Sequence, residues 1–385
     1  MTAAQITPFP RDTTTLDRLD ALLPELTASF AATAAAHDRD ATFPVANIEL
    51  LHRHRLLALT APKELGGLGA DLPTTLKVVR AVAKGEPATA LVLVMQYLHH
   101  ARILEAGWPA HLAKRVVGDA VHRGGLINSL RVEPDLGTPA RGGLPNTVAR
   151  RVNDGWRISG RKLYSTGSSV LSWFSVWARS DDDTPLIGGW LVPASAQGIR
   201  IEETWDHHGL RASVSHDVIL DDVWVPADHA LSPQPYGTAP AIDPGFLIWS
   251  GVLTAGIYDA VAEAARDWFV AFAKSRVPAN LGAPLSSLSR FQEVAGTIDG
   301  LLLTNRLLLN AAASGAVNAL EGNLVKHLVT ENAIAAVEKA VTVTGNPGLS
   351  RANPLERHYR DVLCGRIHTP QADVVLTAAG RAAFA

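Results

Sequence analysis

The pattern of apolar and polar positions divides the chain into three parts, and the first of them has a helical period. Apolar residues rich in Ala and Leu recur at helical spacing, which predicts helices over residues 17–36, 46–54 and 73–83. The run Gly66-Gly67-Leu68-Gly69 breaks this period with a turn. We therefore expect a helical domain over residues 1–120.

The middle part, residues 121–235, consists of short segments with the alternation of strands. Residues 148–152 and 156–159 flank Asn153-Asp154-Gly155, and the Asp-Gly pair tolerates the positive φ angles of a tight hairpin turn. Further strand-like segments, separated by Gly, Pro and Asp, lie at residues 173–178, 186–192, 199–203 and 218–225. Strands at this spacing predict a central β-barrel or sandwich.

Helical periodicity returns in the last part of the chain, after a proline-rich stretch at residues 232–245 that reads as a connector. Long helices are predicted over residues 247–274, 288–314 and 320–344. Helices of this length suit an antiparallel four-helix bundle over residues 236–385. The predicted fold class is α+β, mainly α.

Composition limits the partners and the compartment. The formal net charge of -2 gives no electrostatic attraction to nucleic acid or to an anionic membrane, so neither is expected. The longest apolar run, residues 90–95, is much shorter than a membrane span of roughly 20 residues. The single cysteine, Cys364, suits a reducing compartment, and residues 1–6 lack the features of a secretion signal. A cytoplasmic location is expected.

Motifs along nearly the whole chain resemble those of the acyl-CoA dehydrogenase family. They are Glu64-Leu-Gly-Gly-Leu-Gly69, Glu86-Pro-Ala-Thr-Ala90, Glu133-Pro134, Gly160-Arg-Lys162 followed by Tyr164-Ser165-Thr166-Gly167, residues 209–213, and Arg360-Asp361. The resemblance implies an amino-terminal helical domain, a central β-barrel and a carboxy-terminal four-helix bundle. It also implies a flavin between barrel and bundle, and a homotetramer.

The resemblance assigns individual residues to the flavin, which would be FAD or alternatively FMN. Tyr164 falls where the family places an aromatic side chain beside the flavin ring, and Thr166 where a hydroxyl faces the pyrimidine or N5 edge. Both residues also fit an ordinary strand. Contacts to the rest of FAD are assigned by the same resemblance to Arg276, which would reach a neighbouring subunit, Gln292, Gly345 and Gly348.

A nicotinamide site of the usual kind is not expected in this chain. No Gly-x-Gly-x-x-Gly motif follows an apolar strand. Electrons are therefore expected to come from, or leave to, a separate flavin reductase, an electron-transfer protein or the substrate. No metal site is among the predictions.

The loop after Arg360-Asp361 lacks the glutamate that the resembled family uses as its catalytic base. Thr369 falls at that position, and a threonine cannot remove a proton from carbon. Residues 246–250, where some relatives place the glutamate instead, contain no acid. Asp373, one turn later, is the remaining candidate base.

The loop itself suggests different chemistry. Thr369 as N-cap and Pro370 at the first helical position predict a helix start, which would place His368 beside its positive end and favour a neutral imidazole. A histidine in such a loop resembles the flavin-dependent monooxygenase branch, including dibenzothiophene and alkyl-sulfone monooxygenases. That resemblance implies catalytic roles for His368, Ser165 and Asn128, with Ser129 as an alternative to Asn128.

Three functions stay open on the sequence alone. The first is a reduced-flavin, O2-dependent monooxygenase acting on a small organic substrate. The second is an acyl-CoA dehydrogenase or oxidase with Asp373 as a shifted catalytic acid, and the third is a catalytically silent flavin-binding protein. His99 or His100 would line the monooxygenase pocket, although a buried helix pair or a subunit contact explains these two histidines better.

Overall fold

The structure is a computed structural model that describes residues 14–136, 143–238 and 243–385. Its first part is helical, as the sequence predicts, whereas residues 1–6 lie outside the described ranges. The helices are α1 (Thr14–Asp17), α2 (Leu19–Asp40), α3 (Val45–Arg53), α4 (Leu72–Gly85), α5 (Pro87–Arg102) and α6 (Ala110–Arg123).

Carboxylates begin the two helices that carry much of the amino-terminal core. Asp71 caps α4 by accepting a hydrogen bond from the backbone N–H of Thr74 at 2.9 Å. Glu86 caps α5 in the same way, with the N–H of Thr89 at 2.6 Å. Helix α5 therefore begins at Glu86-Pro-Ala-Thr-Ala90, one of the motifs that resemble the family.

Eight strands of the described residues form one sheet in the middle of the molecule. They are β1 (Ile127–Leu130), β2 (Val148–Val152), β3 (Gly155–Lys162), β4 (Trp173–Ser180), β5 (Leu186–Pro193), β6 (Ile199–Glu202), β7 (Asp217–Pro226) and β8 (Ala230–Pro235). Their order is β6-β7-β3-β2-β4-β5-β8, and β1 pairs in parallel with β4. Because β6 and β8 end this path, the described strands form an open sheet where the sequence suggested a barrel.

Two details of the sheet test the pattern of the sequence directly. The predicted hairpin is confirmed, since β2 and β3 are antiparallel and Val152 pairs with Gly155. The prediction that the chain is already a connector from Ser232 is wrong, because β8 extends to Pro235 and pairs with β5. Strand β8 lies at an edge, where its prolines cost no hydrogen bond of the ladder. Part of the predicted connector, residues 239–242, lies outside the described residues.

The last part of the chain is a bundle built around one long helix, as predicted. Helix α7 packs against α9 and α8 within the bundle, and against α4 and α5 of the amino-terminal part. The bundle helices are α7 (Pro244–Ser275), α8 (Ser289–Ala313), α9 (Ala319–Thr344), α10 (Asn346–Leu349), α11 (Pro354–Leu363) and α12 (Ala372–Ala383).

Helix α7 is the one described helix whose length and composition would allow it to cross a membrane. However, 67% of its apolar window is buried inside the molecule, where it faces neighbouring helices. A helix at the centre of a packed bundle meets the same criterion of length and composition. The burial of α7 is therefore explained by its place in the fold.

Candidate functional site

A buried ion pair holds the end of β3, directly before the segment assigned to the flavin. Lys162 Nζ lies 2.6 Å from Glu133 Oε1, and neither side chain is more than 1% exposed. Glu133 also accepts hydrogen bonds from the backbone N–H groups of Asn146 and Thr147. Burial lowers the pKa of Lys162 to about 8, and the carboxylate of Glu133 opposes that shift. The pair therefore anchors the strand from which residues 163–167 emerge.

Tyr164 carries the chain out of the sheet and presents its ring to the surface. Its φ angle of 52° is in the left-handed region, and 54% of the side chain is exposed. Its ring meets the edges of Trp205 and His207, which are stacked on one another with centroids 3.7 Å apart. An exposed group of aromatic rings of this kind can pack against a planar ligand.

Thr166 lies at the centre of a small hydrogen-bonded network. Ser215 Oγ donates to Thr166 Oγ1 at 3.1 Å, and Ser213 Oγ is 2.8 Å from Ser215 Oγ. Asn128, which is buried in β1, donates from Nδ2 to the carbonyl of Thr166 at 3.0 Å. The network fixes both the backbone and the hydroxyl of Thr166, so Asn128 is placed to position Thr166.

Ser165 is a buried polar residue whose hydroxyl has no hydrogen-bond partner among the described residues. Its side chain is 1% exposed, and Oγ makes no hydrogen bond within the described part of the chain. Its backbone N–H donates to the carbonyl of His216 at 3.2 Å. A buried hydroxyl without a partner costs free energy, and it suits a site where a ligand supplies that partner.

The backbone of the loop that contains His368 is hydrogen-bonded to a buried lysine. Lys326 of α9 is 2% exposed, and its Nζ donates to the carbonyls of Gly365 at 3.0 Å, His368 at 2.7 Å and Pro370 at 3.1 Å. These carbonyls use all of its donors, which is the condition for burying an ammonium group. Burial lowers the pKa of Lys326 to about 8. We call residues 364–371 the terminal loop.

The imidazole of His368 contacts a buried tyrosine. Tyr258 of α7 is fully buried, and its Oη lies 2.5 Å from His368 Nδ1, with the two rings stacked at 30°. Burial lowers the pKa of His368 to about 4, and the nearby Lys326 acts in the same direction. The imidazole is therefore neutral at pH 7.

The prediction that Thr369 caps a helix is wrong. Helix α12 begins at Ala372, Gln371 occupies the cap position, and no side chain caps the helix. Since Lys326 binds carbonyls as far along as Pro370, the backbone there stays a loop, and Thr369 is exposed. The expected neutral state of His368 thus follows from burial and from the nearby Lys326.

Arg360 and Asp361, which directly precede the terminal loop, connect it to α2 and to the segment that contains Leu210. Asp361 Oδ1 accepts a hydrogen bond from the N–H of Leu210 at 2.7 Å, and Arg360 pairs with Asp38 of α2 at 2.6 Å. Burial raises the pKa of Asp361 to about 7. The segment that contains Leu210 continues to Ser213 of the Thr166 network. The hydrogen bond between Asp361 and Leu210 therefore connects the helix that leads to His368 with the segment that leads to the Thr166 network.

The residues assigned to the rest of FAD lie at ends of the bundle helices. Arg276 ends α7 and is exposed, and Gln292, in the first turns of α8, donates to the carbonyl of Ser286. Gly345 ends α9 with a φ of 66°, where a side chain would be strained but would meet open space, and Gly348 follows it. Their contacts with FAD stay predictions.

Other candidates are distributed around these groups. Asp373 lies in the first turn of α12 and is exposed. Ser129 donates its hydroxyl weakly to the carbonyl of Ser175, at 3.4 Å. His99 and His100 are part of α5, and burial lowers their pKa values to about 4 and about 3. His99 packs against Trp108, which fits the structural interpretation of this pair.

Sequence reasoning missed Tyr258 and Lys326. Lys326 has a detectable signal, because it interrupts the apolar face of a helix, and a lysine buried there needs several acceptors. Tyr258 gives no such signal, since a tyrosine on an apolar helix face is ordinary core. Their partners lie 42 and 110 residues away in the chain.

The fold and these groups define a flavoenzyme scaffold, and comparison with known sequences identifies it. The chain belongs to the acyl-CoA dehydrogenase family. The family models described as acyl-CoA dehydrogenase N-terminal, middle and C-terminal domains match residues 23–114, 132–223 and 260–371. Members of this superfamily are flavin-dependent oxidoreductases, which supports enzyme status for the chain.

Individual relatives carry different activities. The putative acyl-CoA dehydrogenase YdbM of Bacillus subtilis is 33% identical, over 92% of this chain and 93% of YdbM. L-evernosamine nitrososynthase of a Micromonospora species is 29% identical, over 96% of this chain and 89% of that enzyme. The structure of KijD3 with FMN and dTDP-3-amino-2,3,6-trideoxy-4-keto-3-methyl-D-glucose has a TM-score of 0.79 and 28% identity, and covers 97% of this chain and 95% of that one.

Proposed function

We propose that the protein is a flavin-dependent monooxygenase that uses reduced flavin and O2 to oxidise a small organic substrate. The observation that carries the proposal is the neutral imidazole of His368, held by Tyr258 in the terminal loop. Within residues 364–371 no side chain is acidic, so this loop offers no carboxylate to remove a proton from carbon. Oxygenation instead requires hydrogen-bond donors and the exclusion of water.

The residues around Thr166 fit the edge of a flavin ring. Thr166 offers a hydroxyl oriented by Ser215, Ser165 offers a buried hydroxyl without a partner, and Tyr164 offers an exposed aromatic face. FAD or FMN would bind here, between the sheet and the bundle. When bound in its reduced form, the flavin supplies the two electrons that let one atom of O2 enter the substrate while the other leaves as water.

The relatives support a substrate with a heteroatom. Two relatives point to nitrogen as the atom oxidised: the Micromonospora enzyme is named L-evernosamine nitrososynthase, and the structure of KijD3 contains FMN and a dTDP-linked 3-amino sugar. Oxidation of an amine nitrogen needs no base that acts on carbon, which agrees with the terminal loop of this chain. Amines are therefore the first substrate class to test.

A specific observation favours a second candidate, an acyl-CoA dehydrogenase or oxidase. YdbM, the relative at 33% identity, is named as a putative acyl-CoA dehydrogenase. In this chain the base would be Asp373, which lies in the first turn of α12 and is exposed there. Because this carboxylate is exposed, the assignment requires a neighbouring subunit or the substrate to cover it.

The two candidates separate in a single set of experiments. We expect the oxidised flavoprotein, mixed anaerobically with acyl-CoA thioesters of several chain lengths, to keep its visible absorbance. With a flavin reductase, NADH and O2, we expect an amine panel to yield an oxygenated product detected by mass spectrometry. Rapid bleaching by an acyl-CoA, abolished in Asp373→Asn, would establish the second candidate instead. Asp373→Asn should leave amine oxygenation unchanged.

Thr166 provides a test of the flavin site that does not depend on turnover. We expect Thr166→Val to weaken flavin binding about 2- to 10-fold, because one hydrogen bond to the ring is lost without a change in shape. Titration of apoprotein with FMN or FAD, followed by flavin fluorescence, measures this change. Thr27→Val is the matched control, since its hydroxyl bonds carbonyls of α2 and α4 far along the chain from this segment. Equal flavin affinities for both variants would show that Thr166 does not bind the flavin.

The proposed enzyme also needs partners. A separate flavin reductase or electron-transfer protein would supply reduced flavin, and the working form would be a cytoplasmic homotetramer. Large apolar side chains that remain exposed on the described bundle helices support contacts between copies of the chain; examples are Leu303, Leu307, Leu328, Val374 and Leu376.

A further inference from the structure

Tyr258 and His368 share one short hydrogen bond that nothing in the proposed reaction uses directly. Tyr258 Oη and His368 Nδ1 are 2.5 Å apart, and the phenol is fully buried under the terminal loop. The other ring nitrogen, Nε2, makes no hydrogen bond to the residues that the structure describes, and it is not among their buried atoms that lack a partner. The contact therefore engages one nitrogen of His368 and leaves the other available.

The position of the shared proton follows from the hydrogen-bond partners of the two groups. If Nδ1 carried a proton and donated to Oη, the phenol hydrogen would be buried without an acceptor, which is unfavourable. If Oη donates to Nδ1, the buried phenol hydrogen has its acceptor, and the proton of a neutral imidazole lies on Nε2, the nitrogen that the contact leaves available. Burial raises the pKa of Tyr258 and lowers that of His368, so both groups are neutral.

The loop backbone keeps this geometry. Lys326 binds the carbonyl of His368 itself, so the main chain and the ring of this residue are held separately. Gly365 allows the loop to lie directly on the tyrosine ring. A Cβ added there would come within 2.9 Å of Tyr258 and 2.7 Å of Thr330. Tyr258 of α7 thus holds the ring of His368, and Lys326 of α9 holds its main chain.

We propose that Tyr258 is a positioning residue that holds His368 as the neutral Nε2–H tautomer, which presents a hydrogen-bond donor to the reacting atoms. This inference rests on the proposed function and deepens it. A neutral N–H stabilises an oxygen atom that gains negative charge, and it cannot accept a proton from carbon. The tautomer therefore limits the site to substrates that are oxidised without removal of a carbon-bound proton, which amines satisfy.

Nitrogen NMR tests the tautomer without turnover. Solid-state spectra of the full-length protein, labelled with 15N in histidine, would be recorded at pH 7, and the signals of His368 would be identified by their loss in His368→Gln. We expect a protonated Nε2 and an unprotonated Nδ1 in the wild type, and a mixture of tautomers in Tyr258→Phe. A protonated Nδ1 in the wild type would overturn the inference.

Kinetics test the consequence, with Tyr97→Phe as a matched control. Tyr97 is equally buried and also loses one hydrogen bond, which its hydroxyl donates to the carbonyl of Leu56. We expect Tyr258→Phe to lower kcat for oxygenated product about tenfold, as one lost neutral hydrogen bond allows, with KM and flavin affinity unchanged and more H2O2 released. Tyr97→Phe should keep the wild-type kcat. An equal loss of kcat in both variants would reduce Tyr258 to a structural role.

The two readouts separate this inference from the proposed function. A wild type that oxygenates no amine but shows the Nε2–H tautomer would disprove the function and leave the role of Tyr258 in place. A wild type that oxygenates amines but has Nδ1 protonated would support the proposed function and disprove the role of Tyr258.

Discussion

Replacing Glu133 by alanine is expected to lower the free energy of unfolding by about 3–5 kcal/mol, the usual effect of breaking one partner of a buried ion pair. The substitution leaves the ammonium of Lys162 buried without its carboxylate, and it also removes the acceptor of the backbone N–H groups of Asn146 and Thr147. Urea unfolding at pH 7, followed by circular dichroism, measures the change.

Two further variants show how much of that effect belongs to the pair. Glu133→Gln combined with Lys162→Met should recover part of the loss, since no buried charge remains, and a double-mutant cycle gives the interaction energy. Asp40→Ala is the control, because its ion pair with Arg39 is exposed and therefore screened by solvent. A loss below about 1 kcal/mol for Glu133→Ala would contradict the anchoring role given to this pair.

Replacing His368 by glutamine is expected to lower the rate of product oxygenation about 10²- to 10⁴-fold, the range that one catalytic proton donor contributes. Flavin affinity should change little, and O2 consumption should continue with release of H2O2. Parallel assays of O2, H2O2 and oxygenated product measure the coupling. His122→Gln, on the exposed surface of α6, is the control and should behave as wild type. A His368→Gln enzyme that stays fully coupled would remove His368 from catalysis.

The pKa of His368 adds a pH dependence with a definite sign. Because burial depresses this pKa from its ordinary value of 6.5 to about 4, the folded protein keeps the imidazole neutral at pH values where the unfolded chain protonates it. Its contribution to stability is fully present above pH 6.5 and is lost as the pH falls towards 4. We therefore expect no loss of coupling through protonation of His368 between about pH 5 and pH 7.

Much of the fold is predictable because local patterns and family motifs agree. The Asp154-Gly155 turn places the hairpin of β2 and β3, and the start of α5 at Glu86 is an ordinary carboxylate cap. The open sheet is harder to foresee, because closure depends on whether β6 and β8 meet. Strand β1 is also difficult, since it is four residues long and gains its partner only from β4.

The candidate site is predictable only where its residues are neighbours in the chain. Tyr164, Ser165 and Thr166 follow one strand, so a single motif indicates all three of them. The environment of His368 is different, because the residues that set it come from α7 and α9. Local propensity favoured a helix start at Thr369, but the three carbonyls bound by Lys326 decide the conformation there. Tertiary contacts outweighed a local signal.

Lys326 recognises the terminal loop through backbone oxygens alone. These hydrogen bonds consequently do not depend on which side chains the loop carries, and Ile367 and Thr369 remain exposed. A new acid, base or donor can arise at these positions by a single codon change while the anchorage underneath persists. Because the residue that supports the loop is separate from the side chains that could react, new reactions can evolve while the fold of the loop is kept.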